Sequence, residues 1–133
     1  MMYLIDSCVI LEFLLGQEKA ETVEKFLASL QPGQIFISDF TLHSIGIILL
    51  REKLPQYFIE ILKDIREGKI EVLGLEHEEL KKVIKVHEKF GLDFDDAYQY
   101  VVAQKYKLKI VSFDSDFDKT NLGRLSPENL LSI

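Results

Sequence analysis

Along this chain, short apolar runs alternate with longer stretches in which apolar residues recur at helical spacing. Met2 to Ile5 is an apolar run that ends at Asp6, and Ile35 to Ile37 repeats the arrangement ahead of Ser38 and Asp39. Ile70 to Leu73 and Leu108 to Ser112 have the same character. Brief apolar runs closed by polar residues predict buried strands. Between them the pattern predicts helices over Cys8 to Leu15, Ala20 to Leu30, Thr41 to Lys53, Gln56 to Arg66, Glu78 to Phe90 and Phe94 to Tyr106. Strands alternating with helices predict an α/β sandwich with helices on both faces of a central parallel sheet, because parallel neighbours need a crossover and a helix supplies it. Gly16, Pro32, Gly33, Pro55, Gly68 and Gly91 punctuate short connections, and no repeat or linker interrupts the order. Residues 1–133 are therefore read as a single domain.

One helix stands out. Thr41 to Leu50 is apolar on nearly every side, broken only by His43, Ser44 and Gly46. An outer helix keeps a polar face, so this one is either sandwiched by its neighbours or buried against a second subunit. Together with Tyr57 and Phe58, the apolar excess around Ile45 to Leu50 leads us to expect a homodimer.

Composition narrows the function classes. The 47% hydrophobic content is enough for one core, and the net charge of −6 argues against a protein that coats nucleic acid through bulk positive charge. Cys8 is the only cysteine, which excludes an intrachain disulfide and a paired-cysteine zinc site. The N-terminus has no basic leader pattern and no apolar stretch reaches membrane-spanning length, so a soluble, cytoplasmic protein is expected, with no membrane partner. Phosphate-loop, dinucleotide-binding and serine-hydrolase motifs are missing, and His43, His77 and His87 lack zinc-protease spacing.

The acidic residues fall in a pattern that hydropathy explains. Asp6 follows the first predicted strand, while Asp114 and Asp116 follow the last. In open parallel sheets, ligands bind beyond the carboxyl ends of the strands. Asp93, Asp95 and Asp96 precede the apolar pattern of a helix and join from a third place. Each has a plainer role: Asp93 as a helix N-cap paired with Asp96, Asp95 as a solvated first-turn acid, Asp114 and Asp116 as turn residues. Asp6 abuts a buried strand and needs a partner. Carboxylates gathered at one edge repel unless a cation compensates, and hard oxygen donors suit Mg²⁺ or Mn²⁺. Phosphodiester hydrolysis is the reaction class such a site serves. Lys105, Lys107, Lys109 and Lys119 are expected to meet a phosphate backbone, whereas Lys81, Lys82, Lys85 and Lys89 form a solvated helix face.

The opening MYLIDSCVILEFLLG and the later DDAYQYVVAQKYKLKIVSFDSDF, with the ending RLSPENLL, resemble the PIN-domain family, in layout the ribonuclease toxins of type II toxin–antitoxin systems. The resemblance spans the chain. It implies an Mg²⁺- or Mn²⁺-dependent endoribonuclease acting on an RNA substrate and held by an antitoxin protein. Asp6, Asp96 and Asp114 match the family's metal-binding acids, and Asp116 matches an additional acid of the last turn. Ser7 and Ser112 match hydroxyl positions that support the acids. The segment ISDFTLHSIGIILLREK matches a strand and helix in which the family places a Glu; here that place is Ser44, beside His43. Its absence implies either a weakened site that works by binding RNA or protein, or a substitute acid. Asp39 is read as a cap for the helix near Thr41.

Overall fold

A computed structural model describes residues 1–131. The elements run β1 (Tyr3–Ile5), α1 (Ser7–Leu14), α2 (Ala20–Ala28), β2 (Ile35–Ser38), α3 (Asp39–Arg51), α4 (Pro55–Arg66), β3 (Glu71–Leu73), α5 (Leu80–Phe90), α6 (Phe94–Tyr106), β4 (Lys109–Val111) and α7 (Pro127–Leu131). The four strands pair in parallel in the order β3-β2-β1-β4. The first three strands step outward on one side of β1, and the chain then crosses back to lay β4 on the other. The direction of winding therefore changes between β1 and β4, and the ends of those two strands border the crevice.

Side chains of a strand point alternately to the two faces of the sheet. Leu4, Phe36 and Ile110 face α5 and α6, where Val83, Leu92, Ala97, Tyr100 and Val101 close one core. Tyr3, Ile5, Ile37 and Val111 face the other way, onto Val9 of α1, Val23 and Phe26 of α2, Ile45 and Leu49 of α3 and Ile61 of α4. Helices thus cover both faces, as the alternation predicts. Two glycines matter for the site. Gly91, at φ 70°, ends α5 in the left-handed conformation and turns the chain toward α6. Gly74 lies so close to Asp39 that an added Cβ would sit 2.7 Å from its carboxylate.

Element ends differ from expectation by a residue or two, and three features differ by more. The segment before α5 is a 3₁₀ turn over His77–Glu79, because Glu76 and Glu79 form a reciprocal capping box that tightens it. The short α7 packs on α2, and its five residues carry too little periodicity to be read from sequence. On α3 the apolar excess divides: Ile45, Gly46 and Leu49 are buried, while Ile47 and Leu50 are exposed. Gly46 lets α3 approach the Phe58 ring of α4. The sandwiched reading of this helix accounts for its inner half only.

Candidate active site

Asp6 ends β1 and caps α1, its carboxylate accepting from the Ser7 amide at 2.8 Å. It is buried, so desolvation must be offset by donors. Gln99 Nε2 donates to Asp6 Oδ1 at 2.7 Å, and the Ser112 hydroxyl donates to Oδ2 at 2.6 Å. The Cys8 thiol adds a weaker contact at 3.5 Å. Burial, and then the Asp6 charge, push the Cys8 pKa up to about 12, so the thiol stays protonated and donates. Ser112 also accepts from the Asp114 amide at 2.9 Å, which ties the ends of β1 and β4 together.

Asp114 opens a 3₁₀ turn over Ser115–Lys119 by accepting from the Asp116 amide. Asp96 comes in from the first turn of α6. Oxygens of Asp96, Asp114 and Asp116 all lie within 4.8 Å of one another. Asp96 is buried, Asp114 half-buried and Asp116 exposed, so the group runs from the interior to the surface. Burial pushes the Asp96 pKa up to about 8, reinforced by a hydrogen bond with Asp114 and by the charges of Asp114, Asp95 and Asp6. A carboxyl group held protonated by like neighbours is what such a cluster gives in the absence of a cation. Three carboxylates with exposed and buried oxygens fit a hard divalent ion that keeps some of its waters.

Several expectations need correction. Ser7 meets Asp6 through its backbone N–H. Asp93 takes the N-cap position of α6, but its side chain makes no capping bond; its carbonyl accepts from Ala97 instead. The cap of α3 is Ser38, whose hydroxyl accepts from the Thr41 amide. Asp39, one residue later, accepts from the Tyr98 hydroxyl at 2.8 Å and from the Phe40 amide. Ser44 is half-buried on α3, and His43 beside it is exposed. Lys105, Lys107 and Lys109 stand at the end of α6 and the start of β4, opposite the carboxylates, because α6 runs antiparallel to the strand that follows it. Only Lys119 of that set reaches the acids, 4.0 Å from Asp116.

Gln99 is a member of the site that sequence reading passes over. It is buried, and besides bonding Asp6 it accepts from the Thr41 hydroxyl at 3.0 Å and from Ser38 at 3.4 Å. One amide thereby fixes Asp6 relative to the start of α3. Its signal was a polar residue within the apolar pattern of α6, three positions after Asp96.

Comparison with known proteins places this geometry in context. A family model described as the PIN domain matches residues 3–122. A VapC ribonuclease from Archaeoglobus fulgidus is 31% identical over 98 residues, which covers 69% of this chain and 61% of the relative. The match therefore spans less than two thirds of that protein's length. Among solved structures, a toxin–antitoxin complex from Klebsiella pneumoniae superposes with a TM-score of 0.75 at 14% identity, covering 94% of this chain and 97% of the other. VapC20 of Mycobacterium tuberculosis, a sarcin–ricin-loop-cleaving toxin, gives a TM-score of 0.75 at 17% identity, with 92% and 98% covered. At these identities the structures speak for the fold.

Proposed function

This chain belongs to the PIN-domain family, and from that premise we propose that it is a divalent-metal-dependent endoribonuclease, the toxin of a toxin–antitoxin pair. The observation that carries the reading is the meeting of Asp96, Asp114 and Asp116 beside the buried Asp6 at the β1–β4 crevice. Asp6, Asp96 and Asp114 are the proposed metal-binding acids, with Asp116 as an additional ligand at the mouth. Mg²⁺ or Mn²⁺ bound there would acidify a water and neutralise charge on the scissile phosphate. The chain's own residues do the positioning. Ser112 and Gln99 hold Asp6 rigid, the α6 N-terminus presents Asp96, and the 3₁₀ turn presents Asp114 and Asp116.

Ser44 supports a slower reading of the same reaction. A site lacking one acid keeps the charge to bind a cation but loses an oxygen that orients water, and a misplacement of about 1 Å costs roughly a hundredfold in rate. The cytoplasmic setting is likewise proposed; among the described residues, no helix is long and apolar enough to cross a membrane. An antitoxin partner is supported by an apolar cleft of about 650 Å³ between α1, α2 and α4, lined by Phe13, Leu14, Leu27, Tyr57, Ile61 and Ile70. None of Asp6, Asp96, Asp114 and Asp116 lines it, and its lining is mainly apolar. The test of the function is RNA cleavage by the purified protein in Mn²⁺ against the same reaction in chelator. Cleavage confined to Mn²⁺ supports it, and the absence of cleavage under both conditions overturns it.

A further inference from the structure

At the rim of the crevice three aromatic rings stand together. Phe40, the second residue of α3, Phe94, the first residue of α6, and Tyr98, one turn later, pair with ring centroids 5.8 to 6.1 Å apart. Tyr98 is buried and doubly anchored, its hydroxyl donating to Asp39 and accepting from the Leu75 amide at 3.1 Å. Phe94 and Phe40 are left 52% and 37% exposed. Leaving large rings in water forgoes their burial energy, while a braced Tyr98 beneath holds them in place. Phe94 and Asp96 share the first turn of α6, with Cα atoms about 5 Å apart and side chains leaving the helix in different directions. Phe40 lies in the first turn of the helix whose Thr41 bonds Gln99, the partner of Asp6.

We propose that Phe40 and Phe94 form a stacking platform for an unpaired base of the RNA next to the scissile phosphate; this rests on the ribonuclease reading above. The turn of α6 that presents Asp96 to a phosphate also carries Phe94, so a nucleotide flanking that phosphate has the rings within its reach. Phenylalanine offers a π-face and no hydrogen bond, so it grips any base whose face is free and gains nothing from a base stacked in a duplex. Lys119, near Gly91 and Asp116, supplies positive charge on the α6 side of the same rim. Platform and acids together select single-stranded over paired RNA.

The chain has no tryptophan, so Phe94→Trp introduces a sole indole as a stacking probe. Its emission is expected to be quenched by single-stranded RNA and to be unaffected by the same RNA annealed to its complement. In Mn²⁺, Phe94→Leu and Phe40→Leu, which keep an apolar contact to Tyr98, are expected to raise KM about tenfold with kcat within about twofold of the parent. Unchanged KM in both variants, or no quenching by RNA that the parent cleaves, overturns the platform alone. A fall in solution mass in either Leu variant without a change in KM assigns the rings to a protein contact and also overturns it. Quenching by RNA that the parent never cleaves upholds the platform and removes the ribonuclease reading, and loss of both removes both.

Discussion

At the residue scale, the site rests on which side chains satisfy a buried carboxylate. Gln99 donates to Asp6 and accepts from Thr41, and both partners are buried. Gln99→Leu keeps the volume but leaves a carboxylate and a hydroxyl short of a partner. It is expected to cost roughly 1–3 kcal/mol of stability, read from urea unfolding. Ser44 is a separate matter, since it holds a place where the family resemblance expects a Glu. Ser44→Glu is expected to raise the kcat of Mn²⁺-dependent cleavage severalfold, and Asp39→Ala to leave kcat near parental, because Asp39 is engaged by Tyr98 and acts through it on binding. A robust parental rate that Ser44→Glu fails to increase would contradict the weakened site, and a collapse in Asp39→Ala would identify Asp39 as the substitute acid. Much at this scale was hidden from sequence. Spacing announces that Asp6, Asp96, Asp114 and Asp116 lie at strand and helix ends, but not that Ser38 takes the α3 cap ahead of Asp39 or that Gln99 turns inward.

At the element scale, α3 and α4 pack together and still expose Ile47, Leu50, Ile59 and Leu62, each at 44% or more. Four aliphatic side chains on adjoining helices fit a homodimer, which we propose on this face. The parent is expected to sediment as a dimer at micromolar concentration, and Leu50→Glu combined with Ile47→Glu as a folded monomer. A parent that sediments as a monomer would reassign the face. Element type was legible because apolar periodicity differs between strand and helix: β1, β3 and β4 sit inside the runs that announce them, β2 runs one residue past its own to Ser38, and α6 matches its pattern over Phe94–Tyr106. Direction was legible for the strands and was not carried through to the lysines. The spacing of Lys105, Lys107 and Lys109 says that they are clustered, but only the antiparallel run of α6 against β4 says that they stand at the wrong end of the sheet.

At the scale of the whole molecule, the strand order decides what meets what. β1 and β4 are about a hundred residues apart in sequence yet adjacent in the sheet, and that adjacency gathers Asp6, Ser112 and Asp114. The gathered charge has a cost in the metal-free protein. Asp96 has its pKa raised from 3.8 to about 8, so the folded chain holds a proton there that the unfolded chain releases. Its contribution to stability is full below the lower value and is lost as pH rises through the upper one. In chelator, the melting temperature is expected to fall between about pH 5 and about pH 9. Mn²⁺ is expected to offset the fall, because the cation replaces the proton. A melting temperature in chelator that rises across this range would contradict the geometry given for Asp96.

The account as a whole turns on whether these acids act together through a metal on RNA. The direct measurement is the initial rate of RNA cleavage in Mn²⁺ for the parent, Asp6→Asn and Asp114→Asn, each checked for folding by circular dichroism. We expect a slow, Mn²⁺-dependent parental rate and a loss of at least about a hundredfold in both folded variants, since each removes a charge the cation needs. Cleavage that persists in chelator, or that survives unchanged in folded Asp114→Asn, would contradict it.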